Sequence, residues 1–320
     1  MKKLLRKILL GVTLPQEYLC VSLGEFKDKL KVYIQDKNSE TEVDITSHHL
    51  FIGYNPLVIA IDKKYFTKNN LSSEQHIVLS FRSTHNREIA SLKLKLVREV
   101  SSDSMKCMIF EGVYGAHLFN NIMQKKISSL YHNRHKDKQD NTFLSGNLYE
   151  QVKIAYSVPR KIYLAVVGSK SLYNIFPTDL SGAIGENNFI MSLRDGGKSN
   201  EQISTLEKCL VATMNVEYFN DVYRAGKNHM KELSPENTFE IKLTNEISTF
   251  YDLPIPMGTI KYFELQKIKS FKIGIHIIYF LRIINSMTLS KSDSVLAHLH
   301  RDYCEWRLKN GMESNYLIRK

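Results

Sequence analysis

Residues 162–204 read IYLAVVGSKSLYNIFPTDLSGAIGENNFIMSLRDGGKSNEQIS. An unbroken apolar run opens the segment and predicts a buried strand. It passes into a polar stretch that carries Asn174, Phe176, Pro177, Thr178 and Asp179, with Ser181 just beyond. Residues 189–193 predict a second strand, which runs into the loop Arg194-Asp195-Gly196-Gly197-Lys198-Ser199-Asn200. Two strands that each deliver hydroxyls, amides or a cation at an end are what a phosphorylated ligand requires.

The second loop suits the phosphate end of such a ligand. Gly196 and Gly197 allow close backbone approach, Arg194 and Lys198 supply charge, and Ser199 supplies a hydroxyl. Ser199 followed by Gln202 has the capping-box spacing that opens a short helix. A turn with an N-cap is the plain structural reading of the same residues. The first loop suits a planar heterocycle. Asn174, Thr178 and Ser181 can hydrogen-bond a ring edge while Phe176 and Pro177 wall one side. The competing reading is a loop whose Asn and Asp only shape turns. Further along, Lys272-Ile273-Gly274-Ile275-His276 places one histidine in an apolar strand, where a satisfied core histidine is the ordinary outcome.

In order and spacing, these pieces resemble the flavin reductase-like family, the FMN-binding split β-barrels, over about residues 150–285. Ser248 and the Pro254-Ile255-Pro256-Met257-Gly258 turn resemble the family's segment before its last strands. The resemblance implies a mainly β fold with some α: a split-barrel C-terminal domain with a C-terminal helix. It implies FMN, with FAD as the alternative, held by Asn174, Phe176, Pro177, Thr178, Asp179, Ser181, Arg194, Lys198 and Ser199. It further implies NAD(P)H as hydride donor, His276 on the nicotinamide side, electrons passing to an acceptor, and a homodimer with the cofactor near its interface. The family's Gly-Asp-His triplet stands here as Gly274-Ile275-His276, and that departure weakens the nicotinamide assignment. The alternatives are a non-catalytic flavin-binding or scaffold protein on the same barrel, or a basic nucleic-acid-interacting protein.

The rest of the chain is less explicit. Residues 1–130 predict a β-rich domain of unknown role, in which Leu92, Leu94 and Leu96 alternate with Lys93 and Lys95. Residues 117–130 predict a helix, and 131–146, with YHNRHKDKQDN, a polar linker ahead of a domain spanning 147–320. The stretch DITSHHLFIGYNPLVIAI, residues 44–61, echoes DLSGAIGENNFIMSL, residues 179–193. A degenerate second copy of the barrel is one reading of that echo. Residues 216–226 predict a helix, 273–284 a strand pair or one long strand, and 292–309 a final helix carrying His298, His300 and Cys304.

Among 320 residues, 43% are hydrophobic and 10% aromatic, enough for a packed core. A formal charge of +11 fits phosphorylated cofactors, nucleic acid, an acidic lipid surface or simply a solvated basic exterior. Cys20, Cys107, Cys209 and Cys304 have no metal-ligand spacing, which favours a reducing, cytoplasmic location. The opening MKKLLRKILLGVTLP is interrupted by Arg6 and Lys7, so it is too short an apolar run for a signal peptide. Dinucleotide and Walker glycine motifs are absent, as are a nucleophile elbow and an aromatic RNA-binding pattern.

Overall fold

The computed structural model describes residues 13–35, 42–66, 76–101, 106–126, 146–235, 239–312 and 314–318. The opening segment to residue 12 and most of the expected linker lie outside the described residues. The chain forms two seven-stranded antiparallel sheets. After β1 (Tyr18–Ser22), the first sheet takes β2 (Lys31–Gln35), β3 (Glu42–Asp44), β4 (His49–Gly53) and β5 (Val58–Asp62). It is completed by β6 (His76–Arg82), β7 (Glu88–Ser101) and β8 (Lys106–His117). The second follows β9 (Arg160–Lys161), with β10 (Tyr163–Gly168), β11 (Tyr173–Thr178), β12 (Ser181–Ile184), β13 (Asn188–Arg194) and β14 (Lys208–Met214). A small pair, β15 (Leu243–Ile247) and β16 (Pro254–Pro256), then precedes the long hairpin of β17 (Thr259–Ile273) and β18 (His276–Thr288). Finally, β19 (Leu296–His300) joins β1 and β9 in a three-stranded sheet that ties both ends of the chain together.

The two large sheets share one topology. The first runs β3-β2-β6-β7-β8-β5-β4 and the second β11-β10-β14-β17-β18-β13-β12. Pairing β2 with β10, β3 with β11, and so on in chain order makes the two series identical. The echo between residues 44–61 and 179–193 therefore falls on corresponding hairpins, β4–β5 and β12–β13.

Burial explains the local sequence. β10 and β14 are apolar on both faces because both faces are covered. Leu164, Val166, Leu210 and Ala212 pack on one side with Val222 and Ala225, while Ala165, Val167, Cys209 and Val211 pack on the other with Met191 and Tyr279. In β7 the alternating leucines are buried and Lys95 is exposed, as period 2 requires.

The halves meet through β4 and β12 and through their hairpins. Ile52, Val58, Ala60 and Ile109 of the first sheet form one core with Ile190, Ile278 and Phe280 of the second. Gly182 on β12 lets Leu50 pack close there, since a Cβ would stand 2.6 Å from the Leu50 Cδ2 and push that side chain aside. Gly274 takes φ +57° to turn the β17–β18 hairpin, and a side chain on it would collide with the Asn55 carbonyl. All four cysteines are buried and free.

Three sequence expectations are corrected. Residues 273–284 are neither one strand nor a pair within themselves but the turn and second arm of that hairpin. The final helix begins at Arg301, because residues 296–300 are recruited as β19 between β1 and β9. The start of residues 117–130 belongs to β8, and the described helical residues there are 122–126.

Candidate functional site

A cleft of about 860 Å³ opens between the two halves. Its floor is a cross-strand row. Tyr163 on β10 is in register with Thr213 on β14, Thr213 with Lys261 on β17, and Lys261 with Thr288 on β18. Residues in register share a face of a sheet, so all four present side chains to the same space. Thr213 is fixed by accepting from the Lys261 backbone N–H at 3.1 Å and donating to the Lys261 carbonyl at 3.1 Å. The first half contributes residues 46–50, at the start of β4, to the opposite wall.

Asp179 and Ser181 come from the β11–β12 connection and line the cleft. Asp179 accepts a hydrogen bond from the Tyr156 hydroxyl at 2.9 Å and contacts His298 Nδ1 at 2.7 Å. His298 also meets the Tyr223 hydroxyl through Nε2 at 2.6 Å. Burial opposes ionisation of both partners, yet their mutual hydrogen bond and attraction prevail. Asp179 is held below the usual carboxylate range, and His298 is raised to about 9. The pair is therefore charged at neutral pH. The Ser181 hydroxyl is buried at the cleft wall without a hydrogen-bond partner among the described residues.

The expected phosphate end is arranged differently. The helix Lys198–Leu206 has Gly197 at its N-cap, with no side-chain cap, so the Ser199–Gln202 capping box does not form. The helix starts before Ser199, whose hydroxyl instead meets His229 Nδ1 at 3.1 Å. Lys198 lies between Glu201 at 3.1 Å and Glu232 at 2.8 Å. Asn174, fully buried, donates to Gln202 at 2.9 Å and to the Asn228 carbonyl at 3.0 Å. Phe176 is a core residue, 5.0 Å from the His229 ring. The segment that follows the short helix Phe219–Arg224 thus covers Asn174, Phe176, Lys198 and Ser199 together. Thr178 is buried at the end of β11, beside the half-buried Pro177.

His276 and Arg194 occupy a third place, under the β4–β5 turn. The His276 ring stands edge-on to Tyr54 at 4.6 Å, and Arg194 hydrogen-bonds Tyr54. Burial, reinforced by the Arg194 charge, pushes His276 down to about 4, so it is neutral at physiological pH. Of the expected residues, Asp179 and Ser181 line the cleft and the others do not.

Sequence reasoning missed Tyr163, Thr213, Lys261 and Thr288, which are scattered along the chain and converge only through strand register. It also placed His298 on a helix and so missed its pairing with Asp179. Among the described residues there is no cluster of His, Cys, Asp or Glu that could hold a metal, and no helix is long and apolar enough to cross a membrane.

No family model and no curated protein sequence matches the chain. Solved structures do resemble it, and they are flavin reductase and FMN-binding split-barrel proteins. An FMN-binding protein from Thermus thermophilus is 13% identical, with 42% of this chain and 74% of that one covered at a TM-score of 0.36. Nitrilotriacetate monooxygenase component B from Mycobacterium thermoresistibile is 10% identical, with 52% and 84% covered at 0.41. The flavin reductase component of a bacterial two-component tryptophan halogenase is 10% identical, with 48% and 98% covered at 0.39.

Proposed function

We propose that this chain binds a flavin nucleotide in the cleft between its halves and serves as an oxidoreductase of the flavin reductase type. FMN is the preferred cofactor and FAD the alternative, with NAD(P)H as donor. The observation that carries the reading is the unpartnered Ser181 hydroxyl beside Asp179, on a cleft whose volume falls within the range usual for small-molecule sites. A buried hydroxyl without a partner costs about 1–3 kcal/mol, which a hydrogen-bonding ligand recovers.

Of the expected flavin-binding residues, Asp179 and Ser181 fit this role, whereas Lys198 and Ser199 do not, being engaged by Glu201, Glu232 and His229. A bound flavin would supply the hydride-accepting and electron-passing chemistry. The protein's part is positional. Tyr163 and Phe263 offer aromatic surface to a planar ring, and Ser181 offers one hydrogen bond. Asp179, held ionised by His298, keeps a fixed negative charge beside the ligand and orients any donor facing it.

In the family this chain resembles, the cofactor lies near a dimer interface, and in our reading the first sheet takes the place of the second subunit. A non-catalytic binder is favoured by one observation: His276 is sealed beneath Tyr54. Visible absorption of the purified chain with added FMN and then NADH tests both readings. A flavin spectrum that bleaches with NADH supports the reductase, and a bound flavin that does not bleach supports the binder. A chain that takes up no flavin overturns both.

A further inference from the structure

We infer that the end of the cleft where Lys29, Lys161 and Lys261 converge is the binding site for a phosphate or pyrophosphate group, in place of the Lys198–Ser199 loop. The inference deepens the flavin-nucleotide reading, but its evidence is separate. Lys29 is anchored by donating from Nζ to the Leu23 carbonyl at 2.7 Å, and the Leu23 N–H donates to the Val295 carbonyl at 2.8 Å. The next carbonyl, of Leu296, accepts from the N–H of Ile162 at 3.0 Å, which brings the adjacent Lys161 to the same spot. Lys261 approaches from the cleft floor, in register with Thr213 and Thr288. The Ser290 N–H donates to the carbonyl of the neighbouring Ile260 at 3.1 Å, adding a hydroxyl. Lys29, Lys161, Lys261, Thr213, Thr288 and Ser290 all line the one cleft.

None of the three lysines forms an ion pair among the described residues, and Asp293, the acid on the nearby loop, is turned against Gly24. Burial, and then repulsion from Lys261 and Lys29, hold Lys161 below the usual ammonium range. Three cations face a cleft whose own carboxylates, Asp62, Asp179 and Glu186, pair with none of them, an arrangement that a polyanion relieves. The Lys198 loop is the opposite case. One ammonium is shared by two carboxylates, so the Lys198 charge is already taken up within the protein.

Calorimetric titration of the full chain with inorganic pyrophosphate, FMN and riboflavin tests the inference. Wild type should bind pyrophosphate, and should bind FMN more tightly than riboflavin. The Lys161→Gln/Lys261→Gln double variant should lose about tenfold or more in pyrophosphate affinity, together with its preference for FMN. Lys198→Gln should change neither. Lys29→Ala, at an exposed position, is the second probe and should weaken pyrophosphate without altering the thermal midpoint. Absent pyrophosphate binding in wild type, unchanged binding in the double variant, or a loss confined to Lys198→Gln would each overturn the site. If pyrophosphate binds at the lysines but FMN does not bind, the site stands and the flavin reading falls. If FMN binds equally well to wild type and double variant, the flavin reading stands and the site falls.

Discussion

Replacing Asp179 with Asn removes the charge that keeps His298 protonated while leaving the shape of the side chain intact. The rise of His298 from 6.5 to about 9 corresponds to about 3 kcal/mol of differential stabilisation of the charged form. A base with a raised folded pKa contributes that stability fully below pH 6.5 and loses it as pH rises through about 9. Asp179→Asn should therefore cost about 3 kcal/mol below pH 6.5, in the range found for breaking buried ion pairs, and progressively less towards pH 9 and above. The tyrosine hydroxyl of residue 156 can still donate to the Asn carbonyl, which limits other losses. Urea unfolding of both proteins across this interval gives the difference directly. Thiols such as Cys107 and Cys209, raised to about 12 in the fold, destabilise both proteins alike at high pH and cancel. The histidine ring proton followed by NMR should titrate near 9 in wild type and below 6.5 in the variant. A wild-type–variant difference that stays constant with pH would refute the coupling.

Two further expectations follow from burial and topology. His49 and His276 are pushed down to about 3 and about 4, chiefly by burial, so they stay neutral in the fold while the unfolded chain protonates below 6.5. Stability should fall as pH drops below 6.5, by up to about 1.4 kcal/mol per pH unit for each, and His49→Gln should flatten that slope in acid-unfolding curves. If the first sheet replaces a second subunit, light scattering on the eluting protein should report the mass of one 37.1 kDa chain. A dimer mass would contradict that substitution.

The β character of both halves was legible because it is local. The alternating leucines of β7 and the apolar run of β10 carry their periodicity on their face. The echo between residues 44–61 and 179–193 was a faint trace of a repeat that becomes plain only when strand order is compared. The site was less legible for the same physical reason. Tyr163, Thr213, Lys261 and Thr288 lie far apart in sequence and become neighbours through pairing that no short motif encodes. The loop around Lys198 had the right chemistry for phosphate, but its availability depended on Glu232 and His229, which arrive from another segment. His298 was misread because the strand propensity of five residues was weak, and its place was decided by β1 and β9.

Two copies of one topology in a single chain carry a consequence for how the copies can diverge. In a symmetric pair of identical subunits, any substitution appears on both sides of the axis, so neither side can specialise. Here the corresponding aspartates already differ. Asp44, closing β3, is exposed and shapes a local turn by accepting from the Thr46 N–H at 2.9 Å and from its hydroxyl at 2.6 Å. Asp179, directly after β11, is committed to an ion pair across the molecule. Within one chain the two copies are free to differ, and at this position one aspartate shapes a turn while the other holds an ion pair.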